Sequence, residues 1–116
     1  MPTLNTLGHP SKRTTFTYEG SITTGVRLHQ TGNPKIDAAF FAAALKQFAG
    51  QEVKGGFKMD DPPKEGFGWW VQENSARCNS QKLSARHGSF MAAILCAEAG
   101  ATSRLNGTSV WLRFPK

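Results

Sequence analysis

The chain has 116 residues, a formal net charge of +6 from 14 Lys and Arg against 8 Asp and Glu, and a pI near 9.8. Hydrophobic content of 39% and charged content of 19% exclude a wholly disordered chain, and the length allows one domain to bury a core without disulfide or metal staples. The positive charge favours a polyanionic partner such as nucleic acid, an acidic protein or a lipid headgroup surface.

The N-terminal segment 1–13 carries two prolines, several small polar residues and the basic pair Lys12-Arg13. This composition predicts a flexible basic arm, followed by a single domain over 14–116. No apolar run reaches the length of a signal peptide core or a membrane span. We therefore expect a cytoplasmic protein that has no contact with a membrane.

Two strands, 14–18 and 21–29, are predicted around a tight turn at Glu19-Gly20. Alternation along the second strand gives it one apolar face and one face that carries Arg27 and His29. A helix is then expected from Pro34 to about Ala49, with Asn33 as its cap and Gly50 as its end. Its apolar arc covers half of its circumference, which predicts the most buried helix of the domain.

The next strand is predicted at 51–58, with Lys54 and Lys58 on its outer face, and it is followed by a proline-containing loop. The aromatic stretch 66–74 then predicts an inner strand, because aromatic and β-branched residues favour a pleated surface. Alternation would direct Phe67, Trp69 and Val71 into the core and Trp70 and Gln72 to the opposite face.

The segment Gly66-Phe67-Gly68-Trp69 resembles the central-strand signature of the RNA recognition motif, in which glycines alternate with aromatic residues. The resemblance covers only these few residues. Glu65 stands where that family has a basic residue, and no aromatic residue occurs in Val26–His29, where the paired first-strand motif would lie. No family is assigned on this basis.

The chain is predicted to end with a helix over 80–99 and a strand over 108–114. In that strand Trp111 and Arg113 alternate with apolar residues and share the outer face. The complete order is β-β-α-β-β-α-β, which indicates an α+β domain with about five mainly antiparallel strands in one sheet and both helices on one face. Without its first strand this order is ferredoxin-like.

If the helices cover one sheet face, the other face displays basic and aromatic side chains together. Single-stranded nucleic acid uses such a surface, because bases stack on aromatic rings and phosphates pair with Lys and Arg. We therefore predict a non-enzymatic module that binds single-stranded DNA or RNA. The alternative is a protein-binding, inhibitory or adaptor module, or a homodimer, that uses the same face. The predicted site residues are Arg27, His29, Lys54, Lys58, Trp70, Gln72, Trp111 and Arg113.

Motifs for catalysis, cofactors and metals are missing from the sequence, so no cofactor or metal is expected. His87 lies within the apolar arc of the second helix without a catalytic partner at helical spacing, and a structural, hydrogen-bonded role is expected for it. Cys78 and Cys96 have neither redox nor zinc spacing. If 80–99 is one helix they lie too far apart for an intramolecular disulfide.

Overall fold

Two antiparallel sheets and three helices form the parts of the chain that the computed structural model describes, which are residues 3–6, 15–30, 32–57, 64–106 and 109–116. The strands are β1 (Thr3–Asn5), β2 (Thr15–Ser21), β3 (Gly25–Leu28), β4 (Lys35–Ile36), β5 (Glu52–Lys54), β6 (Thr102–Asn106) and β7 (Ser109–Arg113). The helices are α1 (Ala38–Gln47), α2 (Phe67–Cys78) and α3 (His87–Glu98). The architecture is α+β as predicted, but the strands do not form one sheet of five.

The large sheet has the order β1-β2-β3-β4, with antiparallel neighbours throughout. Its first strand lies within the segment predicted as an arm, while Lys12 and Arg13 lie outside the described residues. The predicted hairpin is present, but its turn is later than expected: Ser21 pairs with Gly25. Gly20 is needed within β2, because a Cβ there would collide with the carbonyl oxygen of Gly25.

The small sheet has the order β5-β7-β6. The predicted final strand is β7, and it lies at the centre of this sheet. One neighbour is β5, which is shorter than the predicted strand 51–58, and the other is the edge strand β6, which was not predicted. The register places Val53 opposite Leu112, and both side chains are buried.

The predicted inner strand at 66–74 is wrong, since Gly66 is the N-cap of α2 and the residues from Phe67 onward belong to that helix. Phe67, Val71 and Ser75 recur every four residues and are all fully buried, which is helical periodicity. The helix also requires Gly68, because a Cβ there would collide with the Gly56 carbonyl oxygen and stand 3.1 Å from that of Ala85. Tertiary packing therefore overrides the strand preference of the aromatic residues.

The other two helices are present at shorter lengths than predicted. Residues Lys35–Ile36 pair with β3 as β4, so α1 begins after Asp37 and not at Pro34. The residues from 79 to 86 form a connection before α3. In that connection the backbone N–H of Leu83 donates to the buried Ser75 Oγ at 2.7 Å.

The core is shared by both sheets and all three described helices. Every residue of α3 from Gly88 to Leu95 is buried, so α3 and not α1 is the most buried helix. Phe16 of β2 meets Phe90 of α3 edge to face at 4.9 Å, while Phe48 meets Phe114 at 5.1 Å beside the small sheet. No helix in the described parts is long and apolar enough to cross a membrane.

The open side of β4 is covered by side chains of the connection between α2 and α3. The backbone N–H and C=O groups of Lys35 point away from β3. The N–H donates to Gln81 Oε1 at 3.0 Å. The carbonyl oxygen accepts a hydrogen bond from Asn79 Nδ2 at 2.9 Å. These two side chains therefore satisfy the outward backbone groups of Lys35, and no further strand is needed at this edge of the large sheet.

Candidate functional site

The seven described members of the eight residues predicted to share one binding face lie on three separate surfaces. Arg27 belongs to β3 of the large sheet and His29 follows the end of that strand, whereas Trp70 and Gln72 belong to α2. The small sheet carries the remaining described members, which are Lys54, Trp111 and Arg113. Lys58 lies outside the described residues. The single basic and aromatic face predicted from strand alternation is therefore not present.

Trp70 contributes to packing and not to an open platform. Its ring stacks on Phe40 with 5.1 Å between centroids and an interplanar angle of 8°, and Phe48 meets it edge to face at 5.5 Å. The prediction that Trp70 faces away from the core is wrong, because helical rather than strand periodicity sets its direction. Gln72 is also used internally, since its Oε1 accepts the backbone N–H of Ala85 at 3.4 Å.

The outer face of the large sheet is polar. The register sets Arg27 between Glu19 and Lys35. His29 Nε2 lies 3.3 Å from Glu19 Oε1, and its Nδ1 lies 3.2 Å from Thr17 Oγ1. His29 thus pairs with Glu19 and Thr17, and the described residues of this face include no aromatic ring, so we do not place the candidate site here.

The outer face of the small sheet keeps the predicted combination of cations and an aromatic ring. Residues directly opposite each other in antiparallel strands share a face. One cross-strand line therefore runs from Lys54 through Trp111 to Arg104, and the adjacent line runs from Glu52 through Arg113 to Thr102. We call this surface the Trp111 face, and its members are Glu52, Lys54, Thr102, Arg104, Trp111 and Arg113.

Arg104, on the edge strand β6, is held in place beside Trp111. Its guanidinium carbon lies 5.6 Å from the centroid of the Trp111 ring, within cation–π range. Its Nε and Nη2 donate to the two carboxylate oxygens of Glu52 at 2.7 and 2.8 Å. The Arg104 hydrogen bond is the main cause of a lowered pKa at Glu52. The guanidinium plane is therefore oriented before any ligand arrives.

Trp111 has an unsatisfied donor. Its Nε1 atom is buried and has no hydrogen-bond partner among the described residues. A buried donor without an acceptor costs about 1–3 kcal/mol. Beside the ring lies a shallow cavity of about 370 Å³, lined by Ser103 and by the Trp111 face apart from Lys54.

The sequence prediction missed Arg104, Glu52 and Thr102. Arg104 and Thr102 lie in β6, whose polar composition gave no strand signal. A signal was nevertheless available, because Asn106-Gly107 is typical of a hairpin turn and a second strand should precede it. Pairing 102–106 with 109–113 would have placed Arg104 opposite Trp111.

Comparison with known protein families, curated proteins and solved structures finds no match for this chain. The function proposed below therefore depends on the chain's own residues. Two other features of the chain bear on where a site could lie, namely the environment of His87 and the two cysteines.

His87 serves the start of α3. Its Nδ1 accepts the backbone N–H of Ser84 at 3.1 Å, while the backbone N–H of His87 donates to the Ser84 carbonyl oxygen at 3.0 Å. Burial, helped by the positive charge of Arg86, lowers the pKa of His87. Only the half of a capping box in which a side chain accepts an upstream backbone N–H is present, since the His87 N–H donates to a backbone carbonyl oxygen and not to the Ser84 hydroxyl. The structural, hydrogen-bonded role predicted for His87 agrees with these contacts.

The cysteines give no separate site. Cys78 and Cys96 are both free, and they lie in two different helices, α2 and α3. The single helix over 80–99, on which their predicted separation depended, begins only at His87. Burial raises the pKa of Cys96, which disfavours a reactive thiolate there. Within the described parts of the chain, no group of three or more His, Cys, Asp or Glu side chains is placed to hold a metal ion.

Proposed function

We propose that the protein binds single-stranded nucleic acid through the Trp111 face. The observation that carries this proposal is the cross-strand line in which Trp111 lies between Lys54 and Arg104. Arg113 adds a third cation from the adjacent line. With Glu52 as the carboxylate of this face, its formal charge is 3 − 1 = +2.

The guanidinium of Arg104 provides the stacking surface. Nucleobases stack on arginine planes as well as on aromatic rings, and Arg104 already lies over Trp111. A base placed on Arg104 would extend a stack that begins with the indole. Lys54, across Trp111 from Arg104, and Arg113, on the adjacent cross-strand line, would pair with successive phosphates.

The salt dependence of binding provides the first test. Two cations, Lys54 and Arg113, that each neutralise a phosphate of a single strand give a slope of log K against log salt of roughly −1.4. Affinity for a labelled mixed-sequence oligonucleotide should therefore fall about 7-fold between 50 and 200 mM salt. Fluorescence anisotropy measures this directly. Absence of binding at 50 mM salt would exclude the proposal and favour a protein partner for the same face.

Matched charge variants separate a defined site from general attraction. Arg113→Gln and Arg27→Gln each remove one positive charge, but Arg27 lies on the large sheet. We expect Arg113→Gln to reduce the salt slope by about 0.7 and Arg27→Gln to leave it near the wild-type value. Equal losses for the two variants would show that only the overall charge of +6 attracts the nucleic acid.

A further inference from the structure

The hydrogen bonds of β7 show which backbone groups of the small sheet are directed outward. The N–H of Gly55 donates to the Val110 carbonyl oxygen at 2.7 Å, and the N–H of Phe114 donates to that of Gln51 at 2.8 Å. Both Val110 and Phe114 thus direct their backbone groups toward β5. Since this direction alternates along a strand, Trp111 directs its own groups toward β6.

The same alternation then applies to β6. Arg104 is opposite Trp111 and exchanges hydrogen bonds with it. Ser103 and Leu105 consequently direct their backbone N–H and C=O groups away from β7, at the edge of the sheet. Both residues are exposed, and Leu105, at 48%, is the one large hydrophobic side chain open to solvent among the described residues.

This edge differs from that of β4. The outward groups of Lys35 are bound by Gln81 and Asn79, as described above. Among the described residues, no side chain takes that role for Ser103 or Leu105. A strand edge with free backbone groups and an exposed apolar side chain is suited to pairing with another extended segment.

The positive charge at the edge of β6 disfavours a second copy of this chain as the segment that pairs there. In antiparallel self-pairing, the register that uses both outward residues sets Ser103 opposite Leu105 of the other copy. Arg104 would then stand opposite Arg104, and like charges in directly opposed positions are destabilising. The overall charge of +6 adds further repulsion between copies. An acidic residue opposite Arg104 would reverse this effect.

We infer that the open edge of β6 binds an extended segment of an acidic partner protein, which adds a fourth strand to the small sheet. Backbone hydrogen bonds to Ser103 and Leu105 supply the pairing. Acidic side chains of the segment lie on the side of Arg104, and apolar side chains alternate with them and cover Leu105. This surface is the edge of the sheet, and the inference does not depend on nucleic-acid binding by the Trp111 face.

A labelled ten-residue peptide that alternates glutamate and valine tests the inference with the whole protein. At saturating peptide, amide exchange measured by NMR should slow about tenfold or more at Ser103 and Leu105. The amide of Arg104 already donates to β7 and should change little. Binding that leaves the Ser103 and Leu105 amides unprotected would overturn the inference, as would absence of binding.

Peptide and protein variants test the chemistry of the partner. A peptide that alternates lysine and valine should bind at least tenfold more weakly, and equal affinity would contradict an acidic partner. Leu105→Ser should weaken binding roughly fivefold by removing apolar contact. Ser103→Pro removes an outward N–H without removing a bond to β7, and it should weaken binding further. Unchanged affinity in both protein variants would also overturn the inference.

Sedimentation of the protein alone tests whether a second copy of this chain occupies the edge of β6. We expect a monomer at tens of micromolar, with fast exchange at Ser103 and Leu105. A dimer in which these two amides are already protected would show that a second copy occupies the edge, and the acidic-partner inference would then be wrong.

Discussion

Asn79 accepts a hydrogen bond from the backbone N–H of Asp37 at 2.7 Å, and this contact joins the start of α1 to the end of α2. The Asp37 carboxylate in turn accepts hydrogen bonds from the backbone N–H and the hydroxyl of Ser80, at 2.5 and 3.0 Å. The two side chains therefore fix each other's segments across 42 residues of sequence.

Replacing Asn79 should destabilise the fold. Asn79→Ala removes an acceptor for Asp37 and donors for the carbonyl oxygens of Lys35 and Gln81, in a site where Asn79 is buried. We expect a loss of about 2 kcal/mol in the free energy of unfolding, measured by urea titration. Gln81→Ala is the matched control: water can replace its exposed contact, and the loss should stay near 0.5 kcal/mol. Equal losses would contradict this ranking.

Gly68→Ala should lower stability despite the higher helix propensity of alanine. The new Cβ would meet the backbone carbonyl oxygens of Gly56 and Ala85, and backbone atoms cannot rotate away. Overpacking of about 1–3 kcal/mol outweighs a propensity gain of about 1 kcal/mol when these backbone segments resist movement. Calorimetry should show a melting temperature several degrees lower. Ala76→Ser, on the exposed side of α2, provides a control with a much smaller change. A Gly68→Ala protein of unchanged stability would show that the backbone segments at Gly56 and Ala85 can move aside.

Trp111→Phe should leave stability nearly unchanged. The smaller ring loses apolar contact, but the variant also removes the buried Nε1–H that has no acceptor among the described residues. These effects are of similar size, so the free energy of unfolding should change by less than about 1 kcal/mol. Trp111→Ala removes the ring altogether and should cost about 2 kcal/mol. Similar losses in both variants would indicate that the indole nitrogen is satisfied in solution.

His87 should make stability depend on pH below neutrality. Because burial lowers the pKa of His87 from its ordinary value of 6.5, the unfolded chain takes up a proton at higher pH than the folded protein does. Stability should therefore decrease as the pH falls below about 6.5, until the lower folded pKa is passed. Protonation of Nδ1 would also remove the acceptor for the Ser84 N–H.

Urea titrations at pH 7.5, 6.5 and 5.5 measure this dependence. His87→Gln keeps an acceptor that can reach the Ser84 N–H, as glutamine does in a capping box, but it does not titrate. The variant should lose less stability than the wild type between pH 6.5 and 5.5. His29→Gln retains His87 and should keep the wild-type decrease. A decrease of the same size in the His87→Gln protein would rule out His87 as its source.

Strand alternation predicted β2, β3 and β7 because each has one buried and one exposed face. It failed for α2, where Phe67 and Val71 satisfy helical spacing but are surrounded by residues that favour strands. Because of that error, Trp70 was expected to face outward, whereas it packs against Phe40 and Phe48. The predicted binding residues consequently do not share one face. Lys54, Trp111 and Arg113 still share a surface because their own strands were assigned correctly. Arg104 was missed because its strand is polar and is recognisable only from its pairing with β7.

The position of β7 between β5 and β6 has a kinetic consequence. Its pairing with β6 is local, whereas Glu52 and Arg113 are separated by 113 − 52 = 61 residues that include α2 and α3. Closing so long a loop costs chain entropy, which is recovered only once the intervening helices have packed. The β6–β7 hairpin should therefore form early, and β5 should join it after the rate-limiting step. Stopped-flow measurements on Val53→Ala should then show faster unfolding and nearly unchanged refolding.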